Sequence, residues 1–306
     1  MYHGIMNVYK EAGYTSHDVV ARLRGICKQK KIGHTGTLDP DAVGVLPVCL
    51  GNGTKLCDML TDRTKEYVAV LRLGIVTDTQ DISGTVLSEK PVEATPSQVR
   101  EVIASFKGNS LQIPPMYSAL KVNGRKLYEL AREGKEVERE ARSITIYKLE
   151  IIREDHPEYT IKVECSKGTY IRTLCHDIGQ ALGCGGVMAS LQRTRVGEFE
   201  IDQAHTLDEL QKLADLGQLS EVVVPVEKMF ERLPILYVRE ESMKALRNGN
   251  QLKIEDFCPA LSENAEKAAD GQEFRVYSNE GIFYGVYSYA ERRRLFCPVK
   301  LFLPEN

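Results

Sequence analysis

Apolar residues at Val19, Val20, Leu23, Ile26 and Cys27 recur with the spacing of one helical face and predict an amphipathic helix over 16–31. Thr15 or Ser16 can cap it, and its other face is basic. A β-rich run from 67 to 73 predicts a strand, and Ser83-Gly84 turns the chain into Thr85-Val86-Leu87, a second one. Thr95-Pro96-Ser97-Gln98 combines an N-cap, a proline at the first helical position and a capping-box glutamine. It therefore starts a helix that runs to about 107 and stops at Gly108. After the Pro114-Pro115 break, Arg125, Lys126, Arg132, Lys135, Arg139 and Arg142 interleave with Glu129, Glu133, Glu136, Glu138 and Glu140. Spacings of three and four predict an exposed, salt-laced helix within 121–142, suited to a mobile flap. Strands follow over 144–152 and 159–165, then helices over 169–182 and 207–216. Beyond Leu233-Pro234 lie a short helix at 243–246 and strands over 273–277, 281–289 and 295–303. The pattern is mixed α+β, with neighbouring strands antiparallel rather than crossed over by helices.

Composition narrows the class. At 306 residues, 42% hydrophobic and 27% charged, the chain has the make-up of a globular protein with room for one to three domains. No apolar run approaches the roughly 20 residues that span a bilayer, and the first residues lack the pattern of a signal peptide, so a cytoplasmic setting and no membrane partner are expected. Eight cysteines include no C-x-x-C pair, which argues against a zinc ribbon or redox dithiol motif and for reduced, mostly buried thiols. The net charge of −3 does not favour a general nucleic-acid coat. Charge is segregated, however: Arg22, Arg24, Lys28, Lys30, Lys31 and His34 occur without an acid between them, and Arg292-Arg293-Arg294 forms a second basic cluster. Such segregation favours an anionic partner on one face.

The densest candidate chemistry is Gly33-His34-Thr35-Gly36-Thr37-Leu38-Asp39-Pro40. Two glycines loosen the loop, while Pro40 fixes its own φ and pushes Asp39 toward an extended backbone. One carboxylate is thereby aimed. Alone, an Asp before Pro is an ordinary turn residue, and Tyr67 or Tyr170 an ordinary packed tyrosine. Their company changes the odds. Gly44-Val45-Leu46-Pro47, Leu50-Gly51-Asn52-Gly53-Thr54-Lys55, Lys65-Glu66-Tyr67, Gly74 with Thr77-Asp78-Thr79, 112–119, 123–128, Cys165-Ser166-Lys167-Gly168-Thr169-Tyr170-Ile171-Arg172 and Leu191-Gln192-Arg193-Thr194 follow in an order that resembles the TruB family of tRNA pseudouridine synthases across most of 4–230. One departure is Lys10-Glu11-Ala12-Gly13, where the family usually has Lys-Pro-x-Gly.

The resemblance implies a pseudouridine synthase-like fold, a mixed and mainly antiparallel sheet flanked by helices. It implies a catalytic domain over 1–232 with a thumb insertion at about 112–143, and a small β-rich PUA-like RNA-binding domain over 233–306. It implies Asp39 as nucleophile, Arg172 as its counter-charge, and Tyr67 stacking on the uracil with its hydroxyl available as a proton relay. Tyr170 and Leu191 would wall the pocket, His34 would fill the space left by a flipped base, and Lys55 would make a phosphate or structural contact. The substrate implied is the T arm of tRNA at uridine 55, read as a splayed base in a shaped loop. Breaking and remaking one glycosidic bond without redox change or net hydrolysis demands no cofactor and no metal. Because guide-RNA-dependent relatives lack an extended thumb, a stand-alone enzyme is implied, with no obligatory protein or guide-RNA partner; a monomer is expected. The alternative is a tRNA-binding chaperone, which uses the same basic surfaces but makes no demand on Asp39.

Overall fold

The computed structural model describes residues 1–303, apart from the side chain of Glu263. Residues 304–306 of the expected C-terminal domain thus lie outside the described residues. Eight strands run in order across the large sheet: Val223–Val224, Gly4–Lys10, Val43–Leu50, Gly186–Val196, Lys65–Leu73, Glu158–Cys165, Arg142–Asp155 and Gly108–Gln112. Ile32–His34 pairs in addition with Val43–Leu50, and Phe199–Glu200 with Gly186–Val196. Every pairing is antiparallel except that between Gly186–Val196 and Val43–Leu50. The expected α+β class and mainly antiparallel sheet are therefore observed.

Period-two burial decides where the helices sit. Along Gly4–Lys10, Met6 and Val8 join one apolar cluster while Ile5 joins another on the opposite face. The first cluster is covered by the helix Ser16–Ile26 through Val19, Val20 and Leu23, and by Leu207–Asp215 through Leu207 and Leu210. On the central strand Lys65–Leu73, Tyr67, Ala69, Leu71 and Leu73 are buried against the helices Pro96–Ser105 and Ile171–Ala181. Capping boxes at Thr15 and Thr95 start two of these helices, the second with Pro96 in place as expected. The first helix is shorter than its periodicity predicts: it ends at Ile26, and Lys28 turns the chain with φ +49°.

The predicted flap helix is corrected by the structure. Lys121–Val122 and Arg125–Lys126 form a two-residue hairpin around Asn123 and Gly124, both at positive φ. A helix covers only Leu127–Arg132, and Gly134 at φ +70° ends the turn after it. The ion pairs Arg125–Glu133, Lys135–Glu133 and Arg139–Glu136 are present, so the segment is salt-laced but only briefly helical.

After Leu233-Pro234 a second sheet, in the order Ile235–Tyr237, Glu273–Tyr277, Phe283–Ala290, Leu295–Leu301 and Leu252–Lys253, encloses its own core with Phe257, Phe274, Tyr287 and Phe296. It is joined to the large sheet by a shared apolar seam. In that seam Tyr277, Phe283 and Phe302 meet Ile5, Cys49, Leu56 and Val226.

Candidate active site

Asp39 lies on the loop between Ile32–His34 and Val43–Leu50, and the loop is fixed from several sides. Leu38 is buried in the core beside Tyr67, and its N–H donates to Ser16 Oγ at 3.0 Å. Thr35 donates to the Pro47 carbonyl from its amide at 3.2 Å and its hydroxyl at 3.0 Å. Lys10, fully buried at the end of the first strand, donates from Nζ to the carbonyls of Pro40 at 2.9 Å and Ala42 at 2.6 Å, one on each side of Asp41 and both just after Asp39. Burial pushes its pKa down to about 8 against the opposing pull of Asp39 and Asp41. The missing family proline after Lys10 leaves this clamp intact.

Arg172 reaches Asp39 from the first turn of the helix Ile171–Ala181. Its Nη2 is 3.1 Å from Asp39 Oδ1 and donates to the Tyr117 carbonyl at 2.8 Å. Its Nη1 approaches Asp81 Oδ2 at 3.7 Å and the Thr79 carbonyl at 3.5 Å. The arginine side chain is only 7% exposed whereas that of Asp39 is 38% exposed, so the cation is fixed and the carboxylate opens to solvent. Desolvation by the surrounding protein raises the Asp39 pKa; Arg172 opposes that shift and the nearby Asp81 adds to it.

Tyr67 stands on the central strand opposite Arg193, and Leu191 opposite Ala69, so cross-strand register puts all of them on one face. Tyr67 is buried, which raises its phenol pKa, and the Arg193 guanidinium beside it pulls the other way. Arg193 is 2% exposed, donates from Nε to the Val45 carbonyl at 2.7 Å, and leaves Nη2 without a hydrogen-bond partner among the described residues. Gly44, at φ +106°, allows this approach: a Cβ there would come within 2.2 Å of the Arg193 carbonyl. Tyr170 caps the Arg172 helix. Its backbone is bracketed by Gln112, which accepts from the Tyr170 amide at 2.8 Å and donates to its carbonyl at 3.0 Å. Leu191 is half-buried against the same core. His34 packs edge-on to His17 at 5.1 Å, its Nδ1 is 3.2 Å from the Gly36 carbonyl, and burial with the neighbouring His17 pushes its pKa down, toward the neutral ring.

Asp39, Arg172, Tyr67, Tyr170 and Leu191 thus converge on the core side of the large sheet, with His34 at the start of the same loop. Lys55 does not join them. It sits in the turn Gly51–Leu56 and donates to the Leu301 carbonyl at 2.7 Å, bracing the C-terminal sheet. Lys10, Asp81 and Arg193 belong to the site although sequence reasoning gave them no role. For Arg193 the signal was available, since alternation along a strand puts it on the face of Leu191.

Both the sequence and the fold are similar to those of known proteins. Residues 24–171 match the model of the TruB family pseudouridylate synthase N-terminal domain, and 172–231 match that of the tRNA pseudouridylate synthase B C-terminal domain. The chain belongs to the TruB family. The tRNA pseudouridine synthase B of Lachnoclostridium phytofermentans is 52% identical over 98% of this chain and all of its own length. That of Alkaliphilus oremlandii is 43% identical over 99% of both. Among solved structures, an archaeal box H/ACA sRNP Nop10–Cbf5 complex aligns with TM-score 0.68 at 26% identity, covering 99% of this chain and 86% of that one. An H/ACA RNP bound to a substrate RNA containing 2'-deoxyuridine aligns with TM-score 0.69 over the same shares and, at 24% identity, speaks to the fold alone.

Proposed function

We propose that this protein isomerises uridine to pseudouridine in the T loop of tRNA, at position 55, with Asp39 as its nucleophile. The observation that carries the proposal is the Asp39–Arg172 ion pair beneath the Tyr67 face, in a chain of the TruB family. A uridine in a folded loop leaves its stack before its glycosidic bond can be reached, and that base needs an apolar platform. Tyr67 supplies the platform and Tyr170 and Leu191 the walls, while His34 takes the place the base vacates. Arg172 keeps Asp39 ionised in a site whose desolvation favours the neutral acid. The carboxylate then promotes cleavage at C1′, the base turns, and C5 attacks the same carbon. Tyr67 is the group placed to carry the C5 proton. No redox partner or metal is required by this sequence of steps.

The RNA path follows from charge. Arg22, Arg24, Lys28, Lys30 and Lys31 are exposed along and after the first helix, and Arg292, Arg293 and Arg294 are exposed on the C-terminal sheet. We assign the sheet from 233 onward as a PUA-type RNA-binding module and 112–143 as the thumb over the T arm. The protein acts as a stand-alone monomer in the cytoplasm, without guide RNA; no helix is long and apolar enough to cross a membrane among the described residues.

Mapping pseudouridine base by base in an unmodified tRNA transcript tests the reading: product at the T-loop uridine supports it, and product elsewhere or none opposes it. Binding should weaken with added salt, log affinity falling linearly with log salt as lysines and arginines displace counterions. A flat dependence in filter-binding titrations would contradict the assignment of the basic face. Tyr67→Phe should bind tRNA normally yet lose about 10²-fold or more in turnover if the hydroxyl carries the proton; unchanged turnover would restrict Tyr67 to stacking. Lys10→Met should lower Tm and turnover together, because each bond from a charged donor contributes roughly 1.5–3 kcal/mol to holding the loop. In the wild type the Lys10 ammonium is lost as the pH rises through about 8, so its clamp contributes a falling alkaline limb to the pH–rate profile that Lys10→Met should lack.

A further inference from the structure

Cys49 and Cys57 both lie beside Gly33, on the strand that leads into the Asp39 loop. Cys49 lies on Val43–Leu50 directly opposite Gly33, so the two share a face of the sheet. Gly33 has no side chain, and the space beside it is taken by Cys57: a Cβ on Gly33 would lie 3.1 Å from Cys57 Sγ. Cys49 and Cys57 thus pack into one apolar cluster around the Gly33 position, close enough for their thiols to interact. Cys49 is fully buried and Cys57 partly exposed, so Cys57 is the one of the two nearer to solvent and to an oxidant. We propose that Cys49 and Cys57 are a reversible oxidation site, in which hydrogen peroxide converts the pair to a disulfide that ties Val43–Leu50 to the helix Cys57–Thr61 beside the His34-bearing strand.

The chemistry balances. The Cys57 thiolate attacks a peroxide oxygen, the O–O bond breaks, and the departing hydroxide takes a proton to become water, leaving a sulfenic acid. The Cys49 sulfur then attacks Cys57, the S–O bond breaks, and a second water leaves with the Cys49 proton. Two thiols lose two electrons and two protons; the peroxide gains both. Selectivity comes from the surroundings. The Cys49 hydrogen bond holds the Cys57 pKa below the ordinary thiol value, with Lys300 assisting. Burial instead pushes Cys27 and Cys165 up to about 11 and Cys175 to about 12, which keeps them protonated. The pair also lies at a junction. Gly33 precedes His34, and two residues before Cys57 the Lys55 ammonium donates to the Leu301 carbonyl at 2.7 Å while Lys300 donates to the Lys55 carbonyl at 2.9 Å. Drawing Cys57 toward Cys49 displaces it from the Gly33 space, and the disturbance reaches both.

The test treats the full-length native protein with hydrogen peroxide and maps its peptides without reduction. A Cys49–Cys57 cross-link that dithiothreitol reverses is expected, absent in Cys57→Ser; in Cys49→Ala a dimedone-reactive sulfenic acid should stay on Cys57. A Cys57 sulfinic acid beside a free Cys49 thiol, a link to another cysteine, or no oxidation of either would overturn the site. This readout stands apart from the proposed function; the second rests on it. Turnover on a tRNA transcript should fall severalfold on oxidation and recover on reduction, and a formed cross-link with unaltered turnover would overturn its coupling to the active loop.

Discussion

Asp39→Asn is expected to fold, to bind tRNA with wild-type affinity, and to form no pseudouridine, turnover dropping by at least about 10⁴-fold as it does when an essential nucleophile is removed. The amide has the size of the carboxylate, and Arg172 retains Asp81 and the Tyr117 carbonyl. What is lost is the group that engages C1′. The variant should also be more stable than the wild type at neutral pH. The Asp39 pKa is raised, chiefly by desolvation, so the folded protein holds that proton to a higher pH than the unfolded chain. Stability therefore falls as the pH rises from the ordinary carboxylate pKa to the raised one, and the full penalty remains above it. Asparagine removes the penalty. The Tm gap between variant and wild type should be open at pH 7 and should close as the pH drops below the ordinary carboxylate value. In the wild type the acid limb of turnover should lie higher than an unperturbed aspartate would put it. Normal turnover by Asp39→Asn would overturn its assignment, and tight tRNA binding without product from either protein would favour a chaperone role.

Arg172→Met should produce the second largest effect and in the opposite sense on stability. It leaves Asp39 and Asp81 facing one another without the cation between them. Breaking a buried pair by removing one partner costs about 3–5 kcal/mol; Asp39 is 38% exposed, so about 2–3 kcal/mol is the better expectation here. Because Arg172 pulls the Asp39 pKa down, its loss lets desolvation and Asp81 push it further up, and the acid limb of residual turnover should move to higher pH. Arg172→Lys keeps the charge without the planar fork and should recover part of the stability but less of the rate. A double-mutant cycle is the decisive check: Arg172→Met should destabilise Asp39→Asn less than it destabilises the wild type. Additive effects would mean that the ion pair does not couple the two residues.

Local signals in the sequence were legible and distant ones were not. Thr15 and Thr95 cap their helices because capping needs only the next three residues. The segment 121–142 was misread for a related reason: its charge spacing suits a helix, but Asn123-Gly124 is the stronger signal, since both residues adopt the positive φ that a two-residue hairpin requires. The Asp39, Tyr67 and Arg172 grouping was legible through ordered motifs, and the 3.1 Å ion pair spans 133 residues of chain. Asp81 and Lys10 went unassigned because their partners are carbonyls and charges brought close only by the sheet. Lys55 shows the limit most clearly, for the carbonyl that occupies its ammonium lies 246 residues away.

The aromatic seam between the sheets has a mechanical meaning. Phe283 packs against Phe302 at 5.7 Å and Phe230 at 6.2 Å, and this stack merges with the apolar back of the strands that carry Val45 and Val196. A hinge would need water-tolerant surfaces free to slide past each other; here the seam is apolar, and polar groups beside it are tied across it, Lys55 to the Leu301 carbonyl and Asn52 to the Leu303 carbonyl. The C-terminal sheet is therefore a fixed arm whose reach from the Asp39 loop is set at folding; if it binds RNA as proposed, it acts as a gauge against which an RNA of the wrong dimensions cannot seat at both ends. Cutting the chain after 232 would not release two working halves; it would turn the inside of the gauge out into water.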